Sequence, residues 1–399
     1  MSLRPAVACL ATPLALALCP AAPAQDGGLS ERDALLGDLF GLRSGLGESG
    51  VTVDLTLVVD GTQVVSGGAA RNEAVRGLFD VAVAADMAAL AGIEGAVLFL
   101  DAYSLFGEQD SGAGNIQGVS NIDAEVRDQI AELWWEQLFL DDRLRVKVGK
   151  VEANSEFAWV EYGGELIGPA WAISPNVLGI PTYPETAVSF NAEWTPDDRH
   201  WVRVGVYDGA AQSGRRTGVH GVGSVFGAPS DLWLALEVGR TWNAGRLGVG
   251  AWRATGDFDE FSGGVADGSN GFYAVFDQTL AQEVDAAGEP LSSTGLFARL
   301  AYADPEVSEV ELHLATGVQW TGLLAARPSD VCGCGVSIAE LSSEAGFDDD
   351  REVVLEGYWG FQVTPAIALK PDVQYIVDPG GDPLLDDALV LGLRVQAAF

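Results

Sequence analysis

Stretches in which every second residue is apolar recur along this chain, separated by clusters of Gly, Asp, Asn and Pro. Successive side chains of a strand point to opposite faces, so such stretches predict strands with one apolar and one polar side. The clearest pair is Ala131–Leu140 followed by Arg143–Lys150, with Asp141-Asp142 between them as a hairpin turn. In the second arm Leu144, Val146 and Val148 fall on one face, and Arg143, Arg145 and Lys147 on the other. A two-residue turn then sets Glu136 opposite Lys147 and brings Leu133, Trp135 and Phe139 into line with the valines. The alternation returns in Trp201–Tyr207, where valines alternate with Arg203, Gly205 and Tyr207. It returns again in Glu352–Gln362, with Glu352, Glu356, Tyr358 and Gln362 on a polar face that only Val354 interrupts. At the chain end Leu389, Leu391, Leu393, Val395, Ala397 and Phe399 hold alternate places up to the terminal aromatic.

Composition narrows what these strands build. The chain is 48% hydrophobic with a mean hydropathy of +0.17, yet carries a net charge of −35. Beyond the first 24 residues no run reaches the ~18 apolar residues that a spanning helix requires. A transmembrane antiparallel β-barrel reconciles these facts, because each strand alternates a lipid-facing apolar residue with a lumen-facing polar one. The expected fold class is therefore all-β. About 375 residues at roughly ten per strand suit 16 strands, with 14 or 18 within the same arithmetic. Gly-rich breaks at 107–119, 163–186, 209–230, 256–271, 283–293 and 327–350 suggest long extracellular loops opposed by short periplasmic turns. The 11 Trp, 8 Tyr and 16 Phe fit girdles at the two lipid boundaries. Soluble sandwiches alternate in the same way, so a periplasmic β-sandwich binding protein is the competing architecture.

Residues 1–24 have Arg4, an apolar run from Ala6 to Leu18, and Ala22-Pro23-Ala24 before Gln25, the layout of a removable secretory signal. Residues 25–399 then form a single barrel domain, with 25–50 as a short N-terminal periplasmic segment. Cys9 and Cys19 leave with the signal. Cys332 and Cys334 remain, and are read either as a local disulfide in an exposed loop or as two free thiols; no second Cys or His pair lies near enough to complete a metal set.

The charge balance, 57 Asp and Glu against 22 Lys and Arg, argues against nucleic acid as a partner, which needs clustered positive charge. It is compatible with a cation-favouring channel. His200, His220 and His313 lack metal-pair spacing, and neither a Gly-x-Ser-x-Gly elbow nor a phosphate-cradling Gly-Lys-Ser/Thr loop occurs, so no enzyme and no cofactor are expected. An outer-membrane lipase-like barrel enzyme is the alternative from another class. Asp257, Asp259, Glu260 and Asp267, and separately Asp348, Asp349 and Asp350, lack the spacing of a calcium loop and read as solvated loops.

Five segments, in order, resemble the carbohydrate-selective porin family of the OprB type: 132–159 with its strand pair and acidic-Phe element, 180–209 with IPTYPETAVSFNAEWTP and VRVGVYDG, GVGAWRATGDF at 248–258, GLLAARPSD at 322–330, and ALKPDVQYIVDPGG at 368–381. The resemblance implies a 16-stranded outer-membrane barrel, often trimeric, narrowed by inward loops and passing glucose and related sugars. The Cys332-Gly333-Cys334 stretch and the strong acidity depart from the family pattern. Planar charged groups hydrogen-bond sugar hydroxyls and aromatic rings cover a pyranose face, so the candidate pore lining is Glu132, Trp134, Glu136, Arg143, Arg145, Lys147, Arg203, Tyr207, Glu352, Glu356, Tyr358 and Arg394. Arg71, Arg76, Trp159 and Trp171 are candidates for loops reaching the constriction. A general or cation-preferring diffusion porin is the alternative within transport. Expected partners are sugars as solutes, the bilayer and lipopolysaccharide, the assembly machinery through Phe399, and two further copies in a homotrimer.

Overall fold

The computed structural model describes residues 28, 31–108, 112–220, 231–285 and 290–399. The segment expected as a signal, residues 1–24, lies outside the described residues. Sixteen strands follow one another along the chain: β1 Val51–Ser66, β2 Glu73–Asp86, β3 Ala96–Gly107, β4 Arg127–Phe139, β5 Leu144–Val151, β6 Ala187–Trp194, β7 His200–Asp208 and β8 Leu232–Trp242, then β9 Gly245–Asp259, β10 Val265–Val284, β11 Pro290–Ala303, β12 Val310–Thr321, β13 Val331–Leu341, β14 Arg351–Thr364, β15 Ile367–Val377 and β16 Ala388–Ala398. Every strand pairs antiparallel with its sequence neighbours, and β1 pairs with β16, closing the barrel. Closure satisfies the backbone groups that an open sheet edge would leave bare in lipid.

The alternation read from the sequence becomes the two sides of this wall. Leu391 and Leu393 of β16 point outward and are exposed, while Val390 and Arg394, on the alternate positions either side of them, are buried inside. Leu133 of β4, Val148 of β5, Val204 and Val206 of β7, and Leu355 of β14 likewise face outward. Exposed aromatics cluster towards the two ends of the wall. Phe139, Trp194 and Trp242 lie at the short-turn end and Phe106, Tyr302 and Tyr375 at the other, as interfacial girdles require. The hairpin register is the expected one, with Glu136 paired to Lys147 and Phe139 to Leu144. The turn itself spans Leu140, Asp141, Asp142 and Arg143, with positive φ at the first three.

Connections at one end are mostly tight, as at 195–199, 243–244 and 365–366. At the other end the segments between β3 and β4 and between β5 and β6 are long, and both fold into the barrel. Two expected breaks are corrected. Residues 256–271 contain only a short connection, because β9 runs to Asp259 and β10 starts at Val265. Residues 327–350 enclose β13, whose glycines had read as loop. A Cβ on Gly333 would come within 2.8 Å of the Tyr358 ring, and one on Gly335 within 2.9 Å of the Trp171 ring, so these glycines make room for aromatic side chains. Cys332 and Cys334 sit in the same strand as free thiols. Neither the exposed loop nor the disulfide is found, since next-but-one residues of an extended strand lie too far apart for an S–S bond.

The segment before β1 packs against the short-turn end. Helix α1, Leu42–Glu48, directs Arg43 to the Phe399 carbonyl, and the Leu35 amide donates to the Ala398 carbonyl at 2.9 Å.

Candidate functional site

The interior is crossed by the β5–β6 loop, residues 152–186, which reaches from its own strands to the far wall. Its polar backbone cannot be buried without partners, and the partners are charged residues on inward strand faces. Glu356 of β14 accepts from the Ile167 amide (2.5 Å), the Gly168 amide (3.1 Å) and Trp171 Nε1 (2.6 Å). Arg299 of β11 donates to the carbonyls of Ala158, Ala170 and Ala172. Asp277 of β10 accepts from the amides of Glu161 and Tyr162, and Glu237 of β8 from that of Ala158. His313 of β12 bridges Ser174 of the loop and Ser337 of β13 at 3.0 and 2.8 Å.

The β3–β4 loop is held in the same way. Glu352 of β14 accepts from the amides of Ile116 and Gln117, Arg394 of β16 donates to Asn121 and to Asp60, and Arg76 of β2 donates to Asp123 and Thr62. The two loops meet where the Asn121 amide donates to the Ile167 carbonyl at 2.8 Å.

A different arrangement occupies β4 to β8. Pairing sets Arg145, Glu193, Arg203 and Glu237 side by side across four strands, with signs alternating. Glu136 and Lys147 form the next rung. Glu156 of the loop enters this ladder, accepting from Arg145 Nη2 at 2.5 Å and from Lys147 Nζ at 2.6 Å. Burial by itself would raise the Glu156 carboxyl, but the Arg145 and Lys147 charges outweigh it and hold the group well below the usual carboxylate range. Burial does raise Glu152 above its ordinary value, although Thr182 and the Tyr183 amide hydrogen-bond to it. The side chains of Arg145, Glu136, Glu193 and Arg203 stay 15 to 21% exposed.

The expected lining residues therefore separate. Glu136, Arg145, Lys147 and Arg203 come together in the ladder. Arg143 does not join them: it caps the turn, donating to the Pro196 carbonyl at 2.8 Å, because β5 begins only at Leu144, one residue after it. Glu132, Tyr207, Glu352, Glu356, Tyr358 and Arg394 face inward but are covered by the loops they hold or pack against, each under 10% exposed. Trp134 is engaged on its ring by Phe99 (4.7 Å between centroids) and by Lys147 Nζ (4.1 Å), and donates to Glu132. Of the loop candidates, Arg76 and Trp171 are buried anchors and Arg71 is exposed on the β1–β2 connection. Trp159 remains half-buried with the Arg246 guanidinium 3.4 Å over its ring.

Glu156, Glu193 and Glu237 were missed. For Glu193 and Glu237 the signal was present, since both lie on polar faces of alternating strands. Their pairing with Arg203 depends on neighbours that only the sheet supplies.

A closed 16-stranded antiparallel barrel with an apolar outside, aromatic girdles, a charged inside and inward loops defines an outer-membrane porin. The family model "Carbohydrate-selective porin, OprB family" matches residues 71–399, and the chain belongs to that family. It is 25% identical to Porin B of Pseudomonas aeruginosa, over 99% of this chain and 98% of that protein. It is also 25% identical to the putative porin QuiX of Acinetobacter baylyi, over 68% and 69%. The high-pH structure of Pseudomonas putida OprB superposes with a TM-score of 0.81 at 20% identity, covering 94% of this chain and all of the other; the low-pH structure gives 0.61 at 18%. The protein is thus a carbohydrate-selective porin of the outer membrane, and the sandwich alternative falls.

Proposed function

We propose that sugars of glucose size cross this barrel between the β5–β6 loop and the β4–β7 wall. The observation that supports this route is the contrast in exposure. Arg145, Glu136, Glu193 and Arg203 keep 15 to 21% of their side chains open, whereas Arg299, Glu352, Glu356 and Arg394 keep 3% or less. A pyranose presents pairs of hydroxyls that both donate and accept, and a ladder of alternating guanidinium and carboxylate groups answers both roles. Arg145 has five N–H donors and shows three hydrogen bonds, so its accessible edge has capacity for a hydroxyl. Trp159, three residues after Glu156, is the aromatic surface we assign to the apolar face of the sugar. Because the ladder residues are already paired among themselves, each solute contact exchanges for an existing bond, which keeps binding weak enough for release.

The decisive experiment is single-channel conductance of the refolded protein in a planar bilayer with glucose and maltose added in turn. Concentration-dependent block that weakens in Arg145→Ala supports the route; block unaffected by Arg145→Ala and by Trp159→Ala together refutes it. We further propose assembly as a homotrimer and recognition by the insertion machinery through Phe399. That terminal ring continues the outward apolar row of β16 and meets Phe79 edge-on at 6.4 Å. We also propose contact of the long-loop end with lipopolysaccharide. Cross-linking in outer-membrane vesicles tests the trimer, and deletion of Phe399 tests insertion.

A further inference from the structure

The wall has a step at its closing seam. β1 pairs with β2 from Val51 onward, opposite Ala85, but with β16 only from Thr56, opposite Ala398. The first residues of β1 therefore have a strand on one side alone. The chain that precedes β1 turns back into this step. The Leu35 amide donates to the Ala398 carbonyl at 2.9 Å, the Arg43 guanidinium donates to the Phe399 carbonyl, and α1 packs against β1. Residues 35–48 thus carry the wall onward where β16 stops. They begin beside Phe399, the last member of the outward apolar row, whose ring meets the outward ring of Phe79.

This segment turns its polar groups inward on itself and leaves its apolar ones open. The Asp38 carboxylate accepts from the Ser44 amide at 2.7 Å and from the Ser44 hydroxyl at 2.9 Å, and the Asp38 carbonyl accepts from the Gly41 and Arg43 amides. Within that turn Leu39 and Phe40 take left-handed backbone, with φ of 49° and 62°, a conformation unfavourable for residues with a branched or bulky side chain. The Phe40 ring is wholly exposed, and Leu36 and Leu42 are 49% and 57% exposed. The β2–β3 connection lies alongside, the Asp86 amide donating to the Gly50 carbonyl at 2.8 Å. It adds exposed Leu90, in helix α2 (Met87–Ala91), and Ile93. The turn 195–199 at the same end instead presents Asp197, Asp198 and Arg199 to water.

We propose that residues 36–46 form an interfacial foot: Leu36, Phe40 and Leu42 insert among phospholipid acyl chains at the periplasmic boundary of the outer membrane and hold the β1–β16 seam to that leaflet. Apolar surface left in water is unfavourable, whereas aromatic and aliphatic side chains at a lipid boundary are favoured. Continuity selects lipid as the occupant. The foot extends a wall whose outer face already meets lipid, at the end where the short turns of such barrels face the periplasm. A second copy of the chain and a soluble partner are the occupants that the test separates from lipid. The foot lies outside the lumen, so this inference is independent of the sugar route.

The test places a nitrobenzoxadiazole fluorophore on Phe40→Cys, with the native cysteines replaced by serine and the chain refolded into phosphatidylethanolamine and phosphatidylglycerol vesicles. Asp198→Cys, labelled in the same way, is the water-facing reference at the same end of the barrel. Doxyl-labelled phosphatidylcholine is expected to quench the label at position 40 severalfold more than the reference, and aqueous iodide severalfold less. Iodide quenching equal to the reference overturns the proposal, because the ring then faces water. Shielding from both quenchers overturns it as well, in favour of cover by a second copy, since the vesicles hold no other protein. Should Phe40→Cys fail to refold, Leu42→Cys carries the same comparison.

Discussion

Two sectors of the same barrel use inward charges in opposite ways. On β11, β14 and β16, Arg299, Glu352, Glu356 and Arg394 are nearly sealed, and their partners are mostly loop backbone and loop side chains. On β4 to β7, Glu136, Arg145, Glu193 and Arg203 are partly open, and their partners are mostly one another. Both sectors obey the same alternation along the strand. What separates them is which part of the wall the β3–β4 and β5–β6 loops cover: charges beneath them become anchors, and charges beside them remain in contact with water.

The largest effect expected from this contrast follows Glu356→Ala. Three donors, including two backbone amides of the loop, lose their acceptor in a buried site, a loss on the order of 3 kcal/mol. The loop should leave the wall, so conductance should rise severalfold and protease should cut within 152–186, while the heat-modifiable barrel band on a gel persists. Native conductance in this variant would mean that Glu356 is not the anchor.

Arg145→Ala comes next. It removes two hydrogen bonds to the buried Glu156 carboxylate, so docking of the β5–β6 loop should weaken by about 1–3 kcal/mol while Lys147 keeps Glu156 paired and the closed strand ladder persists, and sugar block should weaken about tenfold, equivalent to about 1.4 kcal/mol.

Acid gives an intermediate effect with a definite sign. Glu156 is held below its unfolded value, so its contribution to loop docking is complete above the ordinary carboxylate range and is lost only as pH falls through the depressed folded value. Conductance and block attributable to this contact should therefore hold from neutral pH down through the ordinary carboxylate range. In Lys147→Met one of the two charges that depress Glu156 is gone, and the acid limit should move upward. An unmoved limit would remove Glu156 from the docking contact.

Trp159→Ala should weaken block about threefold without changing ion conductance by more than a small fraction, less than one tenfold step of 1.4 kcal/mol. The smallest effect belongs to Arg143→Ala, whose guanidinium lies at the turn: sugar block should be indistinguishable from native, and any clear loss would return Arg143 to the passage.

How much of this was legible in the chain can be seen in particular residues. The outward row Leu389 to Phe399, the pairing of Glu136 with Lys147 and the polar face of β14 with Val354 as intruder could all be read directly, because each depends on local period two and a short turn. Glycines misled where they serve aromatic neighbours: Gly333 and Gly335 looked like loop but accommodate Tyr358 and Trp171, residues 25 and more than 160 positions away. The same cause hid the state of Cys332 and Cys334.

Alternating hydrophobicity, the terminal aromatic and the ordered motifs thus determined by themselves that this is an antiparallel outer-membrane barrel, and which side of each strand meets lipid. Only the tertiary structure decided which lumenal charges line water and which pin a loop. Alternation assigns a residue to a face, a property of two adjacent peptide units, whereas cover and partnership depend on where a loop from β5 lands on β8, β10, β11 and β14. Those contacts join residues such as Ile167 and Glu356 across 189 positions, and no local pattern encodes them.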